Sequence, residues 1–232
     1  MQLHSKHPFN QVRETVADRQ RPAALDEFIG KASFPCIGAK SAIAHDGVWA
    51  CRARDLRSDD NDGKILAALR ALPVGGRTPR EFVSLVVLFP DTPRLPELDF
   101  EHHLWRRLQA LHDADSSAWD DAVDADPRSP RFGMSLAGRA FYIVGMHPNS
   151  SRLARRAPTA MLAFNLHSQF DSLRSAGSFE RFRSVIHRRD AALQGEANPM
   201  LADHGERSEA LQYSGRQVAD DWACPFAARK PS

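Results

Sequence analysis

A chain of 232 residues, 42% hydrophobic and 26% charged, is long enough to bury one substantial core without disulfide staples. Its 31 basic and 29 acidic residues leave a net charge of +2, which gives no electrostatic reason to expect nucleic acid or an anionic membrane as partner. The three cysteines, Cys36, Cys51 and Cys224, are scattered and form no CxxC pair, which argues against a disulfide framework and a structural zinc site.

In chain order, residues 1–20 are polar, lack the apolar stretch of a secretory signal and read as a flexible N-terminal segment. No run approaches the ~18 apolar residues of a membrane span. These features predict a soluble, reduced, cytoplasmic protein. "ALDEFIGKAS" spaces Leu25, Phe28 and Ile29 as a short helix that ends by Pro35. Val48 to Arg54 alternates as a strand, and "DDNDGKILAALRALPVGG" brackets a helix over about 61–72. "EFVSLVVLFPD" is continuous enough to be a buried central strand. Phe100, Leu104, Leu108 and Leu111 make one stripe of an amphipathic helix. After an acidic loop over 114–131, a hairpin is expected: a strand near 132–136, a turn at Ala137-Gly138, and a strand from Ala140 to Met146. "TAMLAFNLH" is a further apolar run. Helices follow in "HSQFDSLRSAG" and in "SFERFRSVIHRRDAALQG", the latter with Ser178 as N-cap and Phe179, Phe182 and Ile186 inward. The tail from Glu196 is mostly irregular, anchored by Trp222 and Phe226.

Strands alternate with helices and no segment repeats. The expected fold class is α+β (mixed α/β): a single domain over 21–232, a central sheet of four or five strands, about five helices flanking it, and long functional loops.

Common catalytic signatures are absent, including GxxxxGK[ST], GxGxxG, HExxH and GxSxG. His102 and His103 are adjacent on a helix and point apart. "HPNSSRLARRAP" follows a strand end and sets Ser151, Arg152, Arg155 and Arg156 together, guanidinium forks suited to carboxylates or phosphates unless they form only a solvated basic loop. His167 lies between an apolar strand and a helix, where a packing or capping role competes with ligation. "QYSGR" gathers Gln212 and Arg216 around a glycine, as a surface turn also would. Cys36, behind Pro35 and ahead of small residues, is either an apolar filler or a reactive or ligating thiol.

Six ordered segments carry a resemblance: "FPC" at 34–36, "HPNSSRLARR" at 147–156, "FNLHSQFDSLR" at 164–174, "HRRDAALQGEANPML" at 187–201, "SEALQYSGR" at 208–216 and "WACPF" at 222–226. From about residue 23 onward the chain resembles the YqcI/YcgG family. Members of that family include heme-dependent enzymes that N-hydroxylate guanidino groups of arginine-like amino acids in specialised metabolism. The resemblance implies a heme b monooxygenase acting on an amine or guanidine, with O2 and a separate electron donor, a ferredoxin or a flavin reductase. The alternative is a non-catalytic heme-binding or heme-sensing protein; a cofactor-free module holding a small carboxylate is a third reading. Cleaving O–O favours a thiolate axial ligand, which puts Cys36 first, His147 second, and His167 and Cys224 behind. The resemblance gives cofactor-site meaning to Cys36, His147, Ser151, Arg152, Arg155, Arg156, His167, Gln212 and Arg216. Arg152, Arg155 and Arg156 would hold heme propionates or a substrate carboxylate. A guanidinium substrate would need a carboxylate, for which Glu209, Asp190 and Asp171 are available.

Overall fold

The computed structural model describes residues 21–74, 81–196, 198–200 and 206–229; the N-terminal segment expected to be flexible lies outside them. Five strands form one sheet: β1 (Val48–Arg52), β2 (Ser84–Phe89), β3 (Met134–Leu136), β4 (Arg139–Met146) and β5 (Ala160–Leu166). Their order is β1-β2-β5-β4-β3, with β1 parallel to β2 and every other pairing antiparallel. Seven α-helices accompany them among the described residues: α1 (Ala23–Gly30), α2 (Ile37–Ala44), α3 (Asp62–Ala71), α4 (Glu97–Ala114), α5 (His167–Ser175), α6 (Phe179–Gln194) and α7 (Ala210–Tyr213). The α+β expectation holds. The hairpin turns where expected, with Ala137 and Gly138 both at positive φ (55° and 69°), as a two-residue hairpin loop requires.

Strand alternation divides the sheet into two unlike faces. On one face, Leu85, Val87 and Phe89 of β2, Phe141 and Ile143 of β4, and Leu162 and Phe164 of β5 join a large core. It is covered by Ile65, Leu66 and Leu69 of α3, by Phe100, Leu104, Trp105, Leu108 and Leu111 of α4, and by Tyr213 and Phe226 from the C-terminal segment. Glu101 on α4 ties that segment down through Ser214, Arg216 and Trp222. Trp119, in the acidic stretch expected to be a loop, packs on the same core and donates to the Val123 carbonyl, so this part of the loop is a structural cover.

The opposite face carries Val48, Ala50, Val86, Leu88, Met146, Met161 and Ala163, covered by α1, α2 and α5. Two neighbouring rows cross the strands on this face. Val86, Ala163 and Val144 form an apolar row; Ser84, Asn165 and Tyr142 form a polar one. Helix α2 was not expected from the sequence, because Ile37–Ala44 is mostly small residues and has no strong apolar stripe. The helix buries Gly38 and Ala42. Phe179, Phe182 and Ile186 of α6, expected in the core, are only half-buried. Phe179 and Phe182 pack at the edge of the second core, Phe182 stacking on Phe82, and all three also border an open space.

Candidate functional site

That space is a cavity of about 310 Å³ between the second sheet face and helices α2, α5 and α6, within the range of small-molecule sites. Its floor is Val48, Ser84, Val86, Tyr142, Val144, Ala163 and Asn165, and its walls include Phe34, Phe82, Phe170, Phe179, Phe182 and Ile186. Phe82 and Phe182 stack with centroids 5.3 Å apart. Polar groups converge within these apolar walls, Cys36, Arg155, His167, Asp190, Glu209 and Gln212 among them, and Arg174, Arg183, His187, Asn198 and Arg207 line the same space. Such a set orients a ligand while the walls exclude water.

Cys36 is the N-cap of α2, with extended backbone (φ −75°, ψ 103°), and its Sγ accepts from the Ala39 N–H at 3.4 Å. Gly38 keeps α2 close to α6: a Cβ there would lie 3.0 Å from the Phe182 ring. Burial pushes the Cys36 thiol up, against the Ala39 and Gly38 N–H groups and the Arg155 charge, which pull it down. The nearby positive charge of Arg155 therefore does not prevail over burial here. The sulfur is held as a thiol and would lose its proton to a metal that ligates it.

Arg155 belongs to a 3-10 turn, Leu153–Arg155, after β4. Its Nη1 donates to the Gly145 carbonyl at 3.0 Å and its Nη2 to the Gln212 carbonyl at 3.3 Å. Tyr142 donates to Gln212 Oε1 at 2.8 Å, and burial pushes its phenol up to about 12, so it stays neutral. His167 opens α5, and its Nε2 lies 2.9 Å from Glu209 Oε2. The polar row of the floor is internally satisfied: Ser84 donates to Asn165 Oδ1 at 2.7 Å, and Asn165 Nδ2 to the Tyr142 carbonyl at 3.2 Å.

The structure thus brings Cys36, Arg155, His167 and Gln212 into one cavity. It sets the other expected cofactor residues elsewhere. His147, the second-choice ligand, is buried on the far face and stacks on Phe100 with centroids 4.2 Å apart; burial pushes its pKa down to about 4. Ser151 binds Glu97 through both its N–H (2.8 Å) and its hydroxyl (2.9 Å). Arg152 forms a buried ion pair with Asp190. Arg156 is exposed and donates to the Ser150 carbonyl at 2.9 Å. Arg216 is committed to Glu101 at 2.8 Å. The three-arginine cluster is therefore split, because the 3-10 turn sends each guanidinium in a different direction. Cys224 packs against the core of the other face, and burial pushes its thiol up to about 12. Of the candidate carboxylates, Asp171 is exposed and paired with Arg174, Asp190 is paired with Arg152, and Glu209 reaches the cavity beside His167. Tyr142, Asn165 and the α6 aromatics were missed as site residues. The signal for one of them was present: Asn165 is the single polar residue in an otherwise apolar strand run.

Heme fits this residue set in its chemistry. One sulfur opens onto an apolar, aromatic-walled space, and Arg174, Arg183 and Arg207 line the same cavity, each paired with an exposed carboxylate (Asp171, Glu180 and Asp220) for which acidic side arms would compete. Among the described residues no group of three or more His, Cys, Asp or Glu could hold a bare metal ion, but a heme iron needs only one such ligand.

Fold and cavity define a class: an α+β protein with a cavity of small-molecule size on one face of a five-stranded sheet. The chain belongs to the YqcI/YcgG family, whose model matches residues 25–227. No curated protein and no solved structure matches the chain. Among the described residues no helix is long and apolar enough to cross a membrane.

Proposed function

We propose that this chain is a heme-dependent monooxygenase that N-hydroxylates an amine or guanidino group of a small amino-acid-like substrate. The observation that carries the reading is the placing of Cys36 at a helix N-terminus, facing an aromatic-walled cavity that also holds Arg155 and the His167–Glu209 pair. Cys36 is the residue that would ligate heme b, and the apolar walls would enclose its ring. When bound through a thiolate, heme supplies the cleavage of the O–O bond of dioxygen. The protein's own groups then have separate tasks. The Phe82–Phe182 stack and its neighbours exclude water from the reacting nitrogen. Glu209 offers its carboxylate to a cationic substrate, and His167 Nε2, in contact with it, can hold or pass one of the two protons that the reaction consumes as the second oxygen atom leaves as water. Tyr142, a neutral phenol, fixes the Gln212 side chain. Two electrons per turnover come from a separate donor, a ferredoxin or flavin reductase, since no flavin or nicotinamide fingerprint occurs in the chain. Free Cys36, Cys51 and Cys224 suit a reducing, cytoplasmic setting.

The test is spectroscopic. Purified protein given hemin is expected to take up pigment and, when reduced under CO, to show a thiolate-type band that Cys36→Ala abolishes. No pigment uptake overturns the reading; a thiolate-type band that survives Cys36→Ala overturns the assignment of the ligand. Pigment without N-hydroxylated product, given a reducing system and arginine-like substrates, leaves the heme-binding or heme-sensing reading in its place.

A further inference from the structure

We infer that the basic face outside residues 31–34 is a docking surface for an acidic protein, and that this protein is the electron donor. The donor role rests on the oxygenase reading above. The docking surface does not, because it stands on the arrangement of surface charge alone.

Residues 31–34 lead from the end of α1 to Cys36, and cations from α2 and α6 converge on them. Lys40 of α2 donates through Nζ to the Lys31 carbonyl at 2.6 Å. Arg189 of α6 donates through Nη2 to the carbonyls of Ala32 at 2.6 Å and Phe34 at 3.0 Å. Lys31 joins this turn to a surface cleft of about 380 Å³, lined by Lys31, Arg94 and Arg156 beside one carboxylate, Glu27. Among the described residues none of Lys31, Lys40, Arg94, Arg156 and Arg189 has a carboxylate at ion-pair distance. The arginines around the large cavity differ: Arg174, Arg183 and Arg207 are paired with Asp171, Glu180 and Asp220.

Like charges gathered without counter-charge repel one another, and a surface of opposite sign relieves that repulsion. The cations are spread over the end of α1, α2, α6 and the segments before α4 and after β4, which is broader than one small anion can bridge. A bilayer fits less well than a protein. The large apolar side chains exposed among the described residues are Val74, Leu98 and Leu153, and none lies on the turn or lines the cleft. The face therefore offers charge without the apolar residues that insert between lipids. Position marks the partner as a donor. Ser33 is exposed, and Phe34 lines the large cavity and meets Phe28 of the cleft edge-on, with ring centroids 5.2 Å apart. Cys36 follows two residues later, so a partner seated here adjoins the backbone that carries the proposed iron ligand. Each encounter would move one electron from the reduced donor, which is oxidised, to ferric heme, which becomes ferrous. Redox partners meet through small, charge-steered, salt-sensitive interfaces, and this face has that character.

The experiment measures binding by calorimetry of the purified full chain, with and without hemin, to an acidic two-iron ferredoxin and an acidic flavodoxin, at about 20 mM and about 300 mM salt. At least one is expected to bind, and to bind roughly tenfold more weakly at the higher salt. Lys31→Glu and Arg94→Glu combined should weaken binding by about tenfold, since both side chains are exposed and unpaired and their reversal leaves the fold intact. Arg131→Glu, which reverses an exposed charge in the 114–131 loop, should not. In hemin-loaded protein the double variant should slow reduction by the reduced donor by a similar factor and leave reduction by dithionite unchanged. Binding of neither protein at low salt overturns the inference, as does a loss from Arg131→Glu as large as that from the double variant. Tighter binding to vesicles of anionic phospholipid or to RNA, lost in the double variant, overturns it in favour of that partner. Weakened docking with donor-driven reduction unchanged overturns the donor role. Failure of the heme reading shows separately, as colourless protein whose docking still depends on Lys31 and Arg94.

Discussion

The two faces of the sheet are made by the same strands and do different work. Along β5, Leu162 and Phe164 point into a core closed by α3 and α4, whereas Ala163 and Asn165, alternating with them, face the cavity. Along β4 the split is Phe141 and Ile143 against Tyr142 and Val144. The first face is filled with large side chains in contact. The second packs Leu88, Met146 and Met161 in a smaller core, but over Val48, Ser84, Val86, Tyr142, Val144, Ala163 and Asn165 it leaves a cavity. A period of two in the backbone is thus enough to place stability on one side and a binding space on the other.

The sharpest way to break this comparison is to empty one position on each side. Phe164 is fully buried in the core, so Phe164→Ala is expected to cost about 3–5 kcal/mol by urea unfolding, the transfer and cavity terms adding. Phe182 is half-buried and already borders open space, so Phe182→Ala should cost less than about 1.5 kcal/mol, since little new cavity is made. Comparable losses at the two sites would mean that the cavity face is as tightly filled as the core, and the division of labour would fail.

A second, smaller effect belongs to the core side and depends on pH. His147, 2% exposed and stacked on Phe100, has its pKa pushed from the ordinary 6.5 down to about 4 by burial. The folded state thus resists protonation that the unfolded chain accepts. The stability this gives is whole above about pH 6.5 and is lost as pH falls toward 4. His147→Phe keeps the stack and removes the titration. The wild type is therefore expected to lose on the order of a few kcal/mol more than the variant between those pH values. Parallel stability curves would show that the imidazole is reached by water in the fold.

Much of this was legible in the sequence, and what was not has physical reasons. The long periodic segments stand where expected: the stripe of α4, the buried β2 and the hairpin about Ala137-Gly138. Helix α2 was missed because Ile37–Ala44 owes its place to close approach, with Gly38 against Phe182, and not to an apolar stripe. The apolar residues of α6 suggest core because periodicity reports that a face avoids water, not what fills the space opposite it. The site was legible in part. Cys36, His167, Arg155 and Gln212 come from separated segments and meet at one cavity, but composition alone could not tell Arg155 from Arg152 and Arg156. The direction of the backbone at each arginine decides that, and it is set by partners distant in sequence: Asp190 for Arg152, and Gln212 for Arg155.

The smallest expected effect on stability falls at the residue with the largest expected effect on function. Cys36 is half-buried at the edge of the second core, and its polar contribution to the fold is one long hydrogen bond, from the Ala39 N–H to Sγ at 3.4 Å, at the start of α2. Serine is a better N-cap than a sulfur side chain, because its oxygen accepts the same N–H at shorter range. Cys36→Ser should therefore change unfolding free energy by no more than about 0.5 kcal/mol. If Cys36 were an apolar filler, the hydroxyl would be buried where only apolar walls meet it, and a loss of about 1–3 kcal/mol would follow. Thermal and urea unfolding of this single variant thus separates the two roles that residues 34–36 left open: near-neutral stability combined with lost hemin ligation marks a site, and a plain loss of stability marks a piece of the core.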